Sequence, residues 1–202
     1  MEEVVLPSRT ILYQPQQLPK YAHFLTSGFA SIVTVMEDGT RVEAGMIGSE
    51  GVVEGVHLLG NASVPTIGVV LIGGTALRID FMDLQKEFLT FGPLHTLILQ
   101  SIQRQYMVLS QIAGCNRLHK VEERLARWLL MAQDRINSDG FHLSQKLLLE
   151  TIGVRRASIG LAAESLQQSG LIEYNRKNIR ILDRKGLEDT ACECYSVLCE
   201  LM

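Results

Sequence analysis

Two adjacent arginines stand at the start of a helical sequence pattern in the C-terminal half of the chain. Arg155 and Arg156 precede apolar residues that recur at helical spacing over residues 156–169. A guanidinium group can bind phosphate oxygens, and it can also donate two parallel hydrogen bonds to the edge of a guanine. The chemistry predicted for this stretch is nucleic-acid binding, with Arg156 as the residue that can reach a base.

A second helical pattern precedes these arginines and is separated from theirs by a glycine. Ser144 is a suitable N-cap because its hydroxyl can accept a hydrogen bond from a backbone N–H. Leu147, Leu148 and Ile152 form an apolar face, and Gly153 ends the helix. Two helices joined in this way are typical of a helix-turn-helix, whose second helix enters the major groove of DNA. A helical hairpin that only packs on a core is the alternative for this pattern alone.

A polar turn after the second helix predicts a wing. Two short strand patterns flank residues 175–178, and this turn carries two cations at its tip. Cations there can bind phosphates and position the helix on DNA. The candidate DNA-binding residues of this winged helix-turn-helix are Ser144, Arg155, Arg156, Ser158, Arg176, Lys177 and Arg180.

The composition is that of a globular protein with ample apolar residues. The chain has 202 residues, of which 47% are hydrophobic, so it has room for one large or two modest domains. No apolar run approaches the length of a membrane span, and the N-terminus lacks the features of a signal peptide. A cytoplasmic protein with no membrane partner is therefore expected. Because the net charge is −3, a DNA-binding surface must be a local patch.

The four cysteines are Cys115, Cys192, Cys194 and Cys199. Disulfides are not expected in a cytoplasmic chain of this size, so the choice is between metal or redox chemistry and inert thiols. The last three have no histidine nearby in the sequence, and their spacing does not match a zinc-ligand pair. They are interpreted as buried or half-buried thiols on a terminal helix, with no metal site. A redox-responsive cluster is the alternative.

Residues 1–91 are predicted to form one antiparallel β domain. The clearest hairpin has strands at residues 32–36 and 41–46, joined by Asp38 and Gly39. An Asp-Gly hairpin turn of this kind requires positive φ at both positions. Glycines also recur between short apolar runs up to residue 74. Many short strands with glycine turns are typical of a small sandwich or barrel.

A long helix is predicted from Pro93 to about Gly114, because this stretch has no helix breaker and carries two apolar stripes. One stripe consists of Ile98, Ser101, Gln105, Val108, Ile112 and Cys115, and the other of Leu99, Ile102, Tyr106, Leu109 and Ala113. A helix with two such faces can pack one on its own domain and the other on a partner. The first stripe, from Ile98 to Ile112, is assigned to a dimer contact, and burial within the chain is the alternative. A further helix is predicted at residues 118–135.

The chain resembles the Crp/Fnr family of bacterial transcription regulators over nearly its whole length. The resemblance lies in SGFASIVTVMEDGTRVEAGMIGSEG at residues 27–51, VEERLARWLL at residues 121–130 and IGVRRASIGLAAESLQQSGLI at residues 152–172. It implies an α+β fold, with a cyclic-nucleotide-binding-like antiparallel β-barrel of jelly-roll type at residues 1–91, a dimerisation helix at residues 92–116 and a winged helix-turn-helix at residues 117–202. It also implies a homodimer that binds a two-fold symmetric site on double-stranded DNA, with RNA polymerase as a further partner.

The barrel departs from the nucleotide-binding members of that family. Those members hold the cyclic phosphate with an arginine, whereas no arginine or lysine occurs between Asn61 and Leu77 here. A buried phosphodiester without a cation would leave its charge unpaired, so a cyclic nucleotide is not expected and no cofactor is assigned. The residues that can still line an effector pocket are Ser49, Glu50, Thr66 and Ser110.

Two other kinds of sensor chemistry lack support in the sequence. No cysteine precedes Cys115, whereas the iron–sulfur members of the family carry their cluster cysteines before the barrel. His23, His57 and His95 are isolated in the sequence, and such histidines are more often structural residues than haem ligands. The effector, if the protein has one, is not identified by the sequence.

The recognition helix also departs from the cyclic AMP type, in which Arg, Glu and a second Arg read the bases. Only Arg156 keeps this chemistry, since Ala157 and Leu161 stand where the Glu and the second Arg are expected. The loss removes an acceptor for cytosine and a donor for guanine. The preferred half-site is therefore expected to differ.

The sequence features bear on three classes of function. The leading hypothesis is a dimeric regulator whose DNA affinity responds to a ligand or to a redox input. The alternative is a ligand-independent DNA-binding protein whose barrel is only a scaffold and polymerase contact. An enzyme is not expected, because the sequence has no acid and base pair, nucleophile motif, metal-ligand spacing or phosphate loop.

Overall fold

The computed structural model describes residues 1–60, 64–136, 138–175 and 178–202, without the side chains of Gln145 and Lys146. The chain divides into two compact units. The first consists of Met1–Gly39 and Ala44–Met107, and the second of Thr40–Glu43 and Val108–Met202. The boundary between the two units at Met107 and Val108 falls inside a long helix.

The first unit is built from antiparallel strands followed by a short helix. Its strands form two sheets, with orders β1-β7-β3 and β2-β6-β4-β5, and the pairs β1–β7, β3–β7, β2–β6 and β4–β6 are antiparallel. The elements are β1 (Glu2–Leu6), β2 (Ile11–Tyr13), β3 (Tyr21–Leu25), β4 (Phe29–Val35), β5 (Arg41–Ile47), a 3-10 helix (Gly55–Leu58), β6 (Thr66–Ile72), β7 (Gly74–Asp80) and α1 (Phe81–Phe88). The antiparallel β structure predicted for this region is confirmed by these four antiparallel strand pairs. Several of the pairs join strands that are distant in the sequence.

The turn of the predicted hairpin differs from the sequence-based expectation. Gly39 has φ of 79°, but Asp38 does not have a positive φ. The Gly39 N–H donates to the carbonyl of Met36 at 2.9 Å, so the tight turn lies one residue earlier and Gly39 follows it in the left-handed region. The requirement for positive φ at both Asp38 and Gly39 was therefore wrong, although the glycine does provide the left-handed conformation.

The second unit is mostly helical and contains a small three-stranded sheet of order β8-β10-β9. Its core centres on α3, where Leu125, Leu129 and Leu130 are fully buried. The sequence pattern does not predict β8, because this strand is short and is defined by its pairing with β10. The elements from the long helix onward are α2 (Pro93–Leu118), α3 (Val121–Ile136), β8 (Gly140–His142), α4 (Gln145–Ile152), α5 (Arg156–Gln168), β9 (Ile172–Asn175), β10 (Asn178–Ile181), α6 (Arg184–Thr190) and α7 (Cys194–Leu201).

In the described parts of the chain, none of the helices combines the length and the hydropathy needed to cross a bilayer.

Candidate functional site

The turn between α4 and α5 is determined by a serine at one end of α4 and a glycine at the other. The Ser144 hydroxyl accepts a hydrogen bond from the Leu147 N–H at 3.3 Å and caps the start of the helix. Gly153 ends the helix at φ 67°, and a Cβ built there would lie 2.9 Å from Cγ1 of Val42. Both the backbone conformation and the lack of space therefore require glycine at this position.

The second helix of the motif presents its N-terminal arginines on the surface. On its inner face Ile159 and Leu166 are buried. Arg155 is the N-cap residue, Arg156 is the first helical residue, and both are exposed. Ser158 is half-buried in the first turn. This arrangement matches a recognition helix, in which residues near the N-terminus reach base edges.

The wing is the hairpin formed by β9 and β10, and β8 extends it into a sheet. Arg180 lies on β10, paired with Glu173 of β9, and is exposed. The His142 Nδ1 and Asn178 Oδ1 atoms are 3.1 Å apart, so β8 contacts β10 at the end of the hairpin that lies next to its turn. Arg176 and Lys177 lie outside the described residues, so their DNA contacts stay a prediction from the sequence.

Helix α3 packs against both helices of the helix-turn-helix and also forms hydrogen bonds with them. Arg124 donates to Oδ1 of Asn116 at 3.1 Å and also to the carbonyl oxygen of Ile152 at the end of α4. Ser165 of α5 donates to a carboxylate oxygen of Glu122 at 2.8 Å. These hydrogen bonds hold α4 and α5 in place against α3.

The four residues predicted to line an effector pocket differ in exposure and in hydrogen bonding. Ser49 is exposed, and the carboxylate of Glu50 accepts a hydrogen bond from the Gly48 N–H at 3.0 Å. The hydroxyl of Thr66 is 3.0 Å from that of Tyr13, whose pKa is raised to about 12 by burial. Ser110 is exposed and belongs to the second unit. A shared pocket for these residues stays a prediction.

The histidines that the sequence presents as isolated have hydrogen-bond partners in the first unit. His23 lies beside the fully buried Glu54, with Nδ1 at 2.7 Å from one carboxylate oxygen and its N–H donating to the other. Nδ1 of His57 is 3.2 Å from the carbonyl oxygen of Glu54, and burial lowers the pKa of the His57 ring. Nδ1 of His95 is 2.9 Å from the carbonyl oxygen of Phe88. The pairing of His23 with Glu54 has no signal in the sequence, because the two residues are 31 positions apart.

The two apolar stripes of α2 differ in exposure. Ile98, Ser101, Val108 and Ile112 are buried in the single chain, and Gln105 is half-buried. These side chains are already covered without a second copy, and the assignment of this stripe to a dimer contact stays a prediction that the single chain does not test. The other stripe is more accessible: Leu99 is 39% exposed, Tyr106 71% and Leu109 37%, and Ala113 is also exposed. Its fifth member, Ile102, is half-buried and packs against the core of the first unit.

Three of the four cysteines converge with a histidine in the second unit. The potential ligand atoms of Cys115, His119, Cys192 and Cys194 all lie within 4.8 Å of one another. The interpretation that the C-terminal cysteines have no histidine nearby is therefore wrong, because the fold brings His119 next to Cys192 and Cys194. The local signal is the four-residue spacing of Cys115 and His119, which directs both side chains to the same side at the end of α2. Cys199 is exposed rather than buried or half-buried.

The thiols of this cluster differ in acidity. Hydrogen bonding to Cys192 and the positive charge of Arg127 lower the pKa of Cys115 to about 5. The pKa of Cys192 is raised, first by its hydrogen bond to Cys115 and then by burial, and burial also raises the pKa of Cys194. Cys115 is therefore the thiol that most readily becomes a thiolate.

A family comparison identifies the C-terminal domain. Residues 123–190 match the family model described as the Crp-like helix-turn-helix domain. This range contains α4 and α5 with their turn, the wing and most of α3. A comparison with curated proteins finds no match.

Several solved structures are similar over most of the chain. The c-di-GMP responsive global regulator CLP from Xanthomonas campestris is 21% identical, with a TM-score of 0.67 over 89% of this chain and 93% of that one. A CRP family transcriptional regulator from Thermus thermophilus is 16% identical, with a TM-score of 0.76 over 95% and 96% of the two chains. FixK2 from Bradyrhizobium japonicum is 14% identical, with a TM-score of 0.76 over 95% and 97%. At these identities the likeness establishes a shared fold.

Proposed function

We propose that this chain is a DNA-binding transcription regulator of the Crp/Fnr type, which binds a two-fold symmetric DNA site as a homodimer through α5. The observation that carries the proposal is the exposed Arg156 at the first helical position of α5, inside a Crp-like helix-turn-helix domain. A guanidinium group at that position can donate two hydrogen bonds to a guanine edge in the major groove. Arg155 and Arg180 contact phosphates on either side, and Arg176 and Lys177 extend this contact at the wing.

The dimer that we propose uses the accessible stripe of α2. Leu99, Tyr106, Leu109 and Ala113 recur at helical spacing, so they form one apolar strip along the helix surface. Two copies related by a two-fold axis would bury the same strip on each other. Such a pair carries two recognition helices, which is the arrangement that reads the two halves of a symmetric site.

We expect Tyr106→Glu to convert the protein from dimer to monomer at micromolar concentration. The variant introduces a charge on both sides of the proposed contact, where desolvation and repulsion oppose association. Sedimentation equilibrium measures the change in the dimer dissociation constant, which should rise at least about tenfold, or about 1.4 kcal/mol.

The matched control for Tyr106→Glu is Gln100→Glu, which adds the same charge to the same helix. Gln100 is exposed and lies six residues from Tyr106, about 120° around the helix. The control should remain dimeric. Equal dissociation constants for the two variants would show that the accessible stripe is not the contact.

We also propose that the first unit does not bind a cyclic mononucleotide as an effector. No arginine or lysine occurs between Asn61 and Leu77, where the nucleotide-binding members of the family hold the phosphate. A protein of this kind either senses another ligand or binds DNA without one. RNA polymerase is the partner that we propose for the DNA-bound dimer, and the cytoplasm is its proposed location.

Selection of DNA from a random pool tests this function directly. The purified protein without added ligand is incubated with the pool at near-physiological salt, and the retained DNA is sequenced. We expect a two-fold symmetric motif with half-sites about 10 base pairs apart, because the two helices meet successive turns of the groove. Retention of DNA without any enriched motif, both alone and with nucleotides, reductant or oxidant present, would contradict the proposal.

A further inference from the structure

The four residues Cys115, His119, Cys192 and Cys194 come from two segments of the second unit. Cys115 lies in the last turn of α2, and His119 follows the end of that helix, where its N–H still donates to the carbonyl oxygen of Cys115 at 3.1 Å. Cys194 begins α7, and Cys192 lies in the linker before it. A spacing of four residues on one helix face and a spacing of two in a linker both direct side chains to a common point.

We propose that Cys115, His119, Cys192 and Cys194 form a zinc-binding site in the second unit. Three thiolates and an imidazole are a ligand set that tetrahedral zinc uses in structural sites. Nothing in the DNA-binding function requires such a site, so this proposal stands or fails independently of that function.

The distances in the cluster fit one metal ion. Zinc bonds of about 2.3 Å to sulfur and about 2.0 Å to nitrogen, at tetrahedral angles, place neighbouring ligand atoms about 3.5 to 3.8 Å apart. The Cys115 and Cys192 sulfurs are 3.4 Å apart, and the Cys194 sulfur is 3.5 Å from Nδ1 of His119. Because all four ligand atoms lie within 4.8 Å of one another, small side-chain rotations would complete the tetrahedron. A cluster of several irons needs its cysteine sulfurs spread over separate metal ions, which this compact arrangement does not provide.

A second observation is the group that orients the histidine. Nε2 of His119 lies 3.2 Å from a carboxylate oxygen of Glu193, so that nitrogen can donate its proton to the carboxylate. The Nδ1 lone pair then points to the sulfur of Cys194. Metal-binding histidines almost always donate their second ring N–H to a carboxylate, a backbone carbonyl or a water, and Glu193 provides such an acceptor here. Gln111 donates from Nε2 to the Cys194 sulfur at 3.1 Å, which further stabilises a thiolate there.

A third observation is the buried positive charge beside the cluster. Arg127 is only 3% exposed, and within the described residues its Nε atom has no hydrogen-bond partner. Arg124 is 7% exposed and, like Arg127, interacts electrostatically with Cys115. Burying a guanidinium group costs free energy unless a negative charge compensates it. A zinc ion with three thiolates keeps one excess negative charge, so the two arginines and the metal centre would stabilise each other.

The site would join the two ends of the DNA-binding region. Cys115 and Cys192 are separated by 77 positions, and the helix-turn-helix and the wing lie between them. A metal bond between these ends restricts the unfolded chain and adds its binding free energy to folding. Arg124 connects the site to the motif, because the same guanidinium group donates to the Ile152 carbonyl at the end of α4.

The test is metal content and cobalt spectroscopy of the full chain, purified under reducing conditions without chelator. We expect one zinc ion per chain by elemental analysis. We also expect that Co²⁺ added to the stripped protein gives the strong visible absorption of a tetrahedral ion and a near-ultraviolet sulfur-to-cobalt band. The double variant Cys192→Ser/Cys194→Ser should lose both signals, whereas Cys199→Ser, which changes an exposed cysteine of the same helix, should keep them.

Two further variants keep the test decisive if the double variant does not fold. His119→Cys should retain tetrahedral cobalt with a stronger sulfur-to-cobalt band. Glu193→Gln should leave the fold intact and weaken zinc binding about 10- to 100-fold, the effect typical of an orienting carboxylate. Chelation of the wild-type protein should lower its melting temperature, and added zinc should restore it.

Three results would overturn the proposal. The first is a reduced, folded wild-type protein that contains no zinc and binds no cobalt. The second is a disulfide between Cys115 and Cys192 that forms in air and accounts for the proximity of the cluster while the reduced protein binds no metal. The third is acid-labile sulfide with broad visible absorption in protein purified without oxygen, which would assign an iron–sulfur cluster instead.

Discussion

Arg156→Ala is expected to weaken binding of the protein to the selected symmetric site by about 1–3 kcal/mol and to leave random DNA nearly unaffected. A loss of this size corresponds to roughly a 5- to 150-fold rise in the dissociation constant. The reason is the position of Arg156 at the first helical residue of α5, where the helix N-terminus meets base edges. Fluorescence anisotropy with the selected site and with a scrambled duplex, at one fixed salt concentration, measures both values.

The control for Arg156→Ala is Arg180→Ala on the exposed surface of β10. A phosphate contact carries no base information, so this variant should weaken selected and scrambled DNA alike. It should also reduce the dependence of log K on log salt by about one per subunit. Equal losses on both duplexes for Arg156→Ala would refute base reading by this residue and would leave it as a phosphate contact.

Leu166→Ala is expected to lower the free energy of unfolding of the second unit by about 2–5 kcal/mol. Leu166 is fully buried on the inner face of α5, so truncation leaves a cavity that the neighbouring helices fill only in part. Trp128 is the single tryptophan of the chain, is 2% exposed and lies in the same unit. Its fluorescence during urea unfolding therefore measures the stability of this unit.

Leu161→Ala provides the comparison within the same helix. Leu161 is 68% exposed, and the chemical change is identical, so helix propensity contributes equally to both variants. The expected loss for Leu161→Ala is within about 0.5 kcal/mol, as for other surface substitutions. Similar losses for the two variants would mean that α5 does not pack on the core through Leu166.

The local features of the helix-turn-helix could be predicted because each depends on a few neighbouring residues. A serine hydroxyl caps a helix through a backbone N–H three residues away, as Ser144 does for Leu147. Gly153 marks the turn because the left-handed conformation is most accessible to glycine. The same logic identified Gly39 but misplaced its turn, since turn type also depends on how the flanking strands pair.

The role of the two α2 stripes could not be decided in the same way. Both stripes have the apolar spacing of a packed helix face, and periodicity alone does not tell what covers a face. Burial in the folded chain shows that the stripe with Ile98 and Val108 is covered internally and that the stripe with Tyr106 is accessible. The stripe with two polar members is the internal one, and Gly51 leaves room for them, because a Cβ built there would lie 3.1 Å from both the Gln105 amide nitrogen and the Ser101 hydroxyl.

The sequence by itself determined the parts of this protein that arise from short-range chemistry: the antiparallel strands, the long helix, the capped helix-turn-helix and Arg156 at the start of its second helix. Only the tertiary structure decided which residues far apart in the chain meet. It paired His23 with Glu54, and it brought Cys115 and His119 to Cys192 and Cys194 across 77 positions. The physical reason is that hydrogen-bond caps and helical periodicity act over one turn, whereas a buried hydrogen-bonded pair or a ligand set depends on how whole elements pack.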